Sequence, residues 1–189
     1  MTILVMLETI CRSVWAYALD GKGSKTVDWA AEHIVDDLAT VGLSEERIIT
    51  KPDQENSIVQ LQHEIAKRRG NYGTAIENSK VGDSNSNGAV ERAIREVKGM
   101  VRTLMSAIEE ATGTDIELIG SIAPWIVRGA ADLINRCMIR EDGKTAMQKL
   151  KGRKVNTPYV LWGRWSSSST RSWAACRATS RATFRLERG

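Results

Sequence analysis

Short apolar runs and helical patterns alternate along the first part of the chain. The runs Thr2–Leu7 and Ser13–Leu19 are rich in β-branched and aromatic residues and predict two strands. The link Glu8–Arg12 is short enough for a hairpin between them. From Thr26 to Val41 the apolar residues recur with helical spacing, which predicts a first helix before Gly42.

The next stretch predicts a third strand, a second helix and a polar loop. Arg47–Thr50 forms a short apolar strand that ends before Pro52, because proline cannot donate to a β-ladder. A helix follows, with one apolar face formed by Ile58, Leu61 and Ile65. Gly70–Gly88 is rich in Gly, Asn, Ser and Asp and shows no periodicity, so we expect a loop with a functional role.

The longest helical pattern comes after this loop. Its apolar positions are Val90, Ala93, Ile94, Val97, Val101, Leu104, Met105 and Ile108. A further helical stretch from Asp115 to Met138 contains Pro124, which predicts a kink. Lys144–Lys151 is long enough for a last short helix. The element order predicts one α/β domain over residues 1–158.

The composition changes after Pro158. From Tyr159 to Gly189 there are six Arg and one Glu, so this segment carries a net charge of +5. The whole chain carries +4, so the remainder is close to neutral at −1. Neither helical nor strand periodicity persists in residues 159–189, which predicts a disordered basic tail. The same bias would also fit a coding sequence that is read out of frame.

Other classes of protein are disfavoured by simple counts. No apolar run approaches the ~20 residues that cross a bilayer, and the N-terminus is a poor signal peptide, so we expect no membrane partner. Three scattered cysteines do not form a disulfide framework or a zinc motif. We therefore expect an intracellular chain with reduced thiols.

Two carboxylates stand at positions where a metal site could form. Asp53 follows the third predicted strand, and Glu91 lies in the first turns of the long helix. Two such carboxylates could hold Mg²⁺, which prefers hard oxygen ligands. A two-metal site activates the attacking oxygen and stabilises the leaving oxygen of a phosphodiester. The alternative is that both are ordinary solvated surface charges.

A row of cations follows Glu91 along the same helix. Arg95, Lys98 and Arg102 are spaced so that they lie on one face, beside the apolar stripe. This pattern suits contacts with a phosphate backbone. The structural alternative is a surface helix with i, i+4 ion pairs, of which Glu91–Arg95 would be one.

The segments KPDQENSIVQLQHEI and VGDSNSNGAVERAIREVKGMVRTL resemble the catalytic core of retroviral and LTR-retrotransposon integrases. That family has an RNase H-like fold, a mixed sheet flanked by helices, and uses an Asp, Asp, Glu triad with Mg²⁺ or Mn²⁺. The resemblance implies that Asp53 and Glu91 are catalytic metal ligands. It also implies that Asn87, Arg95 and Lys98 bind nucleic acid, and we expect the same of Arg102 because it lies on the same helical stripe.

The resemblance covers roughly Thr2–Pro158 and lacks one part of the family pattern. The family's first catalytic Asp lies on a strand before the one that TILVML resembles, and no residue here matches it. That strand is also the central one of the family's sheet. We therefore expect an N-terminally truncated core from a mobile-element polyprotein, inactive alone.

The implied partners are the DNA of the element ends and of the target, with self-association left open and a nuclear location if the chain integrates DNA. Two alternatives to catalysis remain. One is a non-catalytic remnant that binds nucleic acid, and the other is a decayed translation product without function.

Overall fold

The computed structural model describes residues 2–19, 21, 23–52, 55–70, 73–77, 84–115, 122–153 and 182–188, with the backbone alone at positions 24, 52, 84–87 and 182–188. Its strands are β1 (Thr2–Glu8), β2 (Val14–Leu19), β3 (Ile48–Pro52), β4 (Thr74–Ile76) and β5 (Ala182–Arg188). Its helices are α1 (Ser24–Thr40), α2 (Asn56–Arg69), α3 (Ser84–Thr112), α4 (Ala123–Cys137) and α5 (Ala146–Lys151). The chain is thus a mixed α/β protein.

The five strands form one mixed sheet in the order β2-β1-β5-β3-β4. The predicted hairpin is confirmed, since β1 and β2 pair antiparallel from Thr2 opposite Leu19 to Leu7 opposite Val14. β3 and β4 pair parallel, with α2 between them in the chain. β5 joins the two halves, because it runs parallel to β1 and antiparallel to β3.

Helices cover both faces of the sheet because the side chains of β1 are apolar on both sides. Val5 and Leu7 belong to one buried cluster, with residues of α3 and α4. Leu4 and Met6 belong to a second cluster, with residues of α1 and α2. Successive side chains of a strand point to opposite faces, so a strand that is apolar throughout is buried on both. The result is three layers, helices–sheet–helices.

Several local expectations are corrected. The loop predicted at Gly70–Gly88 contains the short strand β4, and α3 begins at Ser84 within it. Pro124 does not kink a helix but lies at the start of α4, where its missing N–H has no intrahelical partner to lose. Trp125, the residue that follows Pro124, is 37 % exposed.

The C-terminal segment contains an element that the sequence pattern did not predict. Residues 182–188 form β5, the central strand of the sheet. The predicted boundary at residue 158 lies outside the described residues. Cys11 is buried and Cys137 is exposed, and no disulfide joins either of them to another described residue. In the described part of the chain no helix combines the length and apolar character that a membrane crossing requires.

Candidate nucleic-acid interface

The longest helix, α3, carries most of the side chains that the sequence selected. It has 29 residues and is therefore about 43 Å long. Its buried residues recur every three or four positions and include Val90, Ala93, Ile94, Val97, Val101 and Ile108. These residues pack against α4 and the sheet. One face of α3 is thereby held against the core, and the opposite face is left for solvent or a ligand.

An ion pair fixes α3 against the segment that follows α4. Arg140 Nη1 lies 3.1 Å from Glu96 Oε2, and both side chains are mostly buried. The same guanidinium also donates to Glu96 Oε1. The backbone around Arg140 is itself held, since its N–H donates to the carbonyl of Lys144. This pair is therefore structural, because it holds Glu96 of α3 against the segment that follows α4.

The charged side chains of the predicted row on α3 differ from this buried pair, because most of them are exposed. Glu91, Arg95 and Arg102 are exposed, and Lys98 is half-buried beside them. None of the three exposed side chains forms an ion pair within the part of the chain that the structure describes. The i, i+4 pair between Glu91 and Arg95, which was the structural alternative for this pattern, is absent although both residues are described. Arg95 and Arg102 thus keep their guanidinium donors available for a ligand.

Arg92 extends this surface and was not selected from the sequence. It is exposed, and it too has no ion pair among the described residues. It lies one turn before Arg95, with spacing i, i+3, which was the signal available in the sequence. Guanidinium groups bind phosphate oxygens in a bidentate manner, so these positions suit a phosphate backbone.

Only one of the two predicted metal ligands lies among the described residues. Asp53 lies outside the described residues, as does the side chain of Asn87. Glu91 is exposed and lies about two turns after the start of α3, which begins earlier than expected at Ser84. Within the described ranges, no three His, Cys, Asp or Glu side chains come together as a metal-binding group. The Asp53–Glu91 site and its Mg²⁺ or Mn²⁺ therefore stay a prediction.

The edge of the sheet where β3 ends carries another carboxylate. Because β3 and β4 are parallel, their carboxyl ends meet at one edge, and Glu77 follows β4 directly. Lys51 Nζ lies 2.9 Å from Glu77 Oε2, and the Glu77 side chain is 54 % exposed. Its N–H donates to the carbonyl of Thr50, which fixes it beside β3. No sequence pattern indicated Glu77, because β4 lies within a polar segment.

No known protein family matches the sequence, and no curated protein matches it either.

Proposed function

We propose that the chain is an integrase-type core fragment whose function is to bind DNA through the exposed face of α3. We call Arg95, Lys98 and Arg102 the cationic row. In this proposal the row contacts the phosphate backbone, with Asn87 at the N-terminal end of the same helix. Asp53 and Glu91 together hold Mg²⁺ or Mn²⁺.

The observation that carries the proposal is that neither Arg95 nor Arg102 forms an ion pair with any residue that the structure describes. A surface helix that uses charge for its own stability pairs its cations, as α2 does between Glu64 and Arg68 at 3.1 Å. The two arginines of the row are about 10 Å apart along the helix axis. The body of the chain is close to neutral, so affinity for DNA has to come from such a local concentration of unpaired cations.

The sheet gives secondary support to the RNase H-like interpretation. The resemblance implies that the first two strands of this chain are the family's second and third strands and that the family's central strand is missing. The hairpin β1–β2 and the pair β3–β4 lie on either side of a central strand, which comes from the C-terminal end of the chain. The agreement concerns this central position alone and supports the proposal without identifying the fold family.

Glu91 has a chemical consequence in this arrangement. Its carboxylate heads a row of cations and would repel a DNA phosphate unless a cation lies between them. A divalent ion held by Glu91 and Asp53 would remove that repulsion and, in the family's reaction, would activate water or a DNA 3′-hydroxyl for in-line attack on a phosphodiester. Because no residue matches the family's first Asp, we propose that this chain alone does not join DNA ends.

The first experiment measures DNA affinity against salt. Binding of a labelled 25-base-pair duplex is followed by fluorescence anisotropy for the wild type and for the double variant Arg95→Gln/Arg102→Gln. Each lost phosphate contact lowers the slope of log K against log salt by about 0.9, so the variant should lose about 1.8. The control Lys67→Gln/Arg68→Gln removes the same charge from α2, on the other face of the sheet. An equal loss in both double variants would show that net charge alone drives binding and would refute the assignment to α3.

The second experiment separates the integrase-type site from a non-catalytic binding remnant. Binding of the same duplex is compared with and without Mg²⁺ for the wild type and Glu91→Gln. A metal held at Glu91 predicts that Mg²⁺ strengthens binding of the wild type more than binding of the variant. Equal responses would favour the non-catalytic remnant. Mg²⁺-dependent strand transfer that Glu91→Gln abolishes would contradict the proposed inactivity of the isolated chain.

A further inference from the structure

The central strand of the sheet is the least suitable of the five for its position. β5 lies between β1 and β3 and is contacted by α2 and α3, which belong to the two opposite helical layers. Strands that are covered on both faces are almost continuously apolar. β5 has the sequence ATFRLER, and three of its seven residues are charged: Arg185, Glu187 and Arg188. The position and the composition of this strand are therefore in conflict.

The flanking strands, by contrast, are built for a buried neighbour. β1 is buried from Leu4 to Glu8, and Ile48 and Thr50 of β3 are fully buried. The backbone of Leu4–Glu8 pairs with β5 on one side, and that of Ile48–Pro52 pairs with it on the other. If β5 left, both rows of backbone donors and acceptors would lose their partners at a cost for each buried group. We call the position between β1 and β3, which β5 fills, the gap. The gap requires a strand, whichever segment supplies it.

The outer edge of β2 is partly occupied by a side chain. Asn135 of α4 accepts a hydrogen bond from the N–H of Val14 at 2.8 Å and donates to its carbonyl at 2.7 Å. At this residue a side chain therefore takes the backbone groups that an added strand would use. The position between β1 and β3, by contrast, holds a poorly matched segment of backbone.

We propose that the gap between β1 and β3 is a binding site for an extended apolar segment of another polypeptide, and that β5 is its displaceable occupant. Recognition would use backbone hydrogen bonds along β1 and β3, as in other cases of strand addition. Continuous apolar side chains would give specificity, because both faces of the gap are covered by helices. This inference does not depend on DNA binding by α3.

The test uses the full chain and a fluorescent synthetic peptide. The probe carries the apolar sequence of β1, TILVMLE, with a lysine tail for solubility. In the chain, Leu186→Pro removes the N–H of a residue that is paired with both Glu8 and Thr50. Apparent affinity scales with the fraction of molecules whose site is open, so the peptide should bind this variant about tenfold or more tightly than the wild type. Leu186→Val keeps the N–H and should behave like the wild type.

A second peptide controls for non-specific hydrophobic binding. It has the same side chains but N-methyl groups on alternate residues, which removes backbone donors, and it should bind none of the three proteins. Equal binding of the first peptide to all three proteins, or equal binding of both peptides, would overturn the proposal.

Hydrogen exchange on the wild-type chain keeps the proposal testable if Leu186→Pro fails to fold. The amides of β5 should exchange about tenfold or more faster than the β1 amides that pair with β2, since these keep their partners when β5 opens. Equal protection of these two sets of amides would refute displacement. A concentration-dependent dimer that Leu186→Pro abolishes would show that β5 of a second copy fills the gap, which also refutes the proposal.

Discussion

The side-chain amide of Asn135 forms two hydrogen bonds with the backbone of a single residue, Val14. Asn135 Oδ1 accepts from the Val14 N–H at 2.8 Å, and Asn135 Nδ2 donates to the Val14 carbonyl at 2.7 Å. Both residues are buried. The amide has the same donor and acceptor as a peptide group. Asn135 of α4 therefore forms with Val14 the two hydrogen bonds that a residue of a neighbouring strand would form with the edge strand β2. This contact attaches α4 to the sheet at the first residue of β2.

Asn135→Leu should destabilise the protein. The change leaves the N–H and the carbonyl of Val14 buried without partners, at about 1–3 kcal/mol for each group. We expect a loss of about 2–5 kcal/mol in the free energy of unfolding, measured by urea denaturation. The control Arg136→Leu removes only an i, i+4 pair with Asp132, which is worth about 0.3–0.5 kcal/mol. Losses of the same size in both variants would show that the amide has no special role.

The Tyr17 hydroxyl predicts how stability changes at high pH. It donates to Asp37 Oδ2 at 2.8 Å, and burial followed by the nearby Asp37 carboxylate raises the pKa of Tyr17 well above its usual value of 10.0. The folded state therefore holds the phenol proton more tightly than the unfolded state. This contribution is fully present below about pH 10 and is lost as pH rises from there toward the higher pKa of the folded state.

Thermal unfolding of the wild type and Tyr17→Phe between pH 8 and 11 tests this. The wild type should lose stability more steeply above pH 10 than Tyr17→Phe, in which the titrating group is absent. Asp37→Asn should remove only part of the difference, because burial is the larger cause. Parallel curves for the wild type and Tyr17→Phe would mean that the Tyr17 pKa is not raised by folding.

The elements that the sequence predicted are those whose signal is local. β1 and β2 are recognisable from continuous apolar runs, and α3 from an apolar period sustained over many residues. β4 was missed because its three half-buried residues depend on pairing with β3. β5 was missed because its alternation of Ala182, Phe184 and Leu186 with polar residues is short and lies in a segment whose composition predicted disorder. Its place is decided by partners far away in the chain.

In the candidate site, too, the sequence predicted the local features and not the ones that depend on distant parts of the chain. Helical spacing was sufficient to place Arg95, Lys98 and Arg102 on one face of α3. Whether Glu91 pairs with Arg95 depends on side-chain rotamers and could not be deduced from spacing. The approach of Asp53 to Glu91 depends on the path of the chain between them, part of which lies outside the described residues. That distance is a non-local property, and the sequence pattern supplies an expectation only.

Arg69 should be more important for stability than its neighbour Arg68. Its guanidinium is buried and donates to three carbonyls of the segment between α1 and β3: Leu43 at 2.9 Å, Ser44 at 3.2 Å and Glu46 at 2.6 Å. It also donates to Thr74 Oγ1 of β4 at 2.7 Å. One side chain thus connects the end of α2 to two other parts of the fold.

Arg69→Met keeps the side-chain length but removes every donor, and we expect it to cost about 2–4 kcal/mol in the free energy of unfolding. Arg69→Lys should also be destabilising, because one ammonium group cannot reach all four acceptors with the same geometry. Arg68→Met, which loses an exposed pair with Glu64, should cost less than about 1 kcal/mol. Full stability of Arg69→Lys would show that charge, and not the arrangement of donors, is what matters.

Gln62 predicts a substitution that stabilises the protein. It is fully buried on the same face of α2 as Ile58 and Ile65, and neither its amide nitrogen nor its carbonyl oxygen has a hydrogen-bond partner among the residues that the structure describes. A buried polar group without a partner costs about 1–3 kcal/mol, and leucine has a similar volume without that cost. Gln62→Leu should therefore raise the midpoint of thermal unfolding by about 2–4 °C for each kcal/mol gained. Gln60→Leu, at an exposed position of the same helix, should leave the midpoint unchanged. A lower midpoint for Gln62→Leu would mean that the amide is hydrogen-bonded in solution, to water or to another chain, and that the apolar surroundings of α2 are not its complete environment.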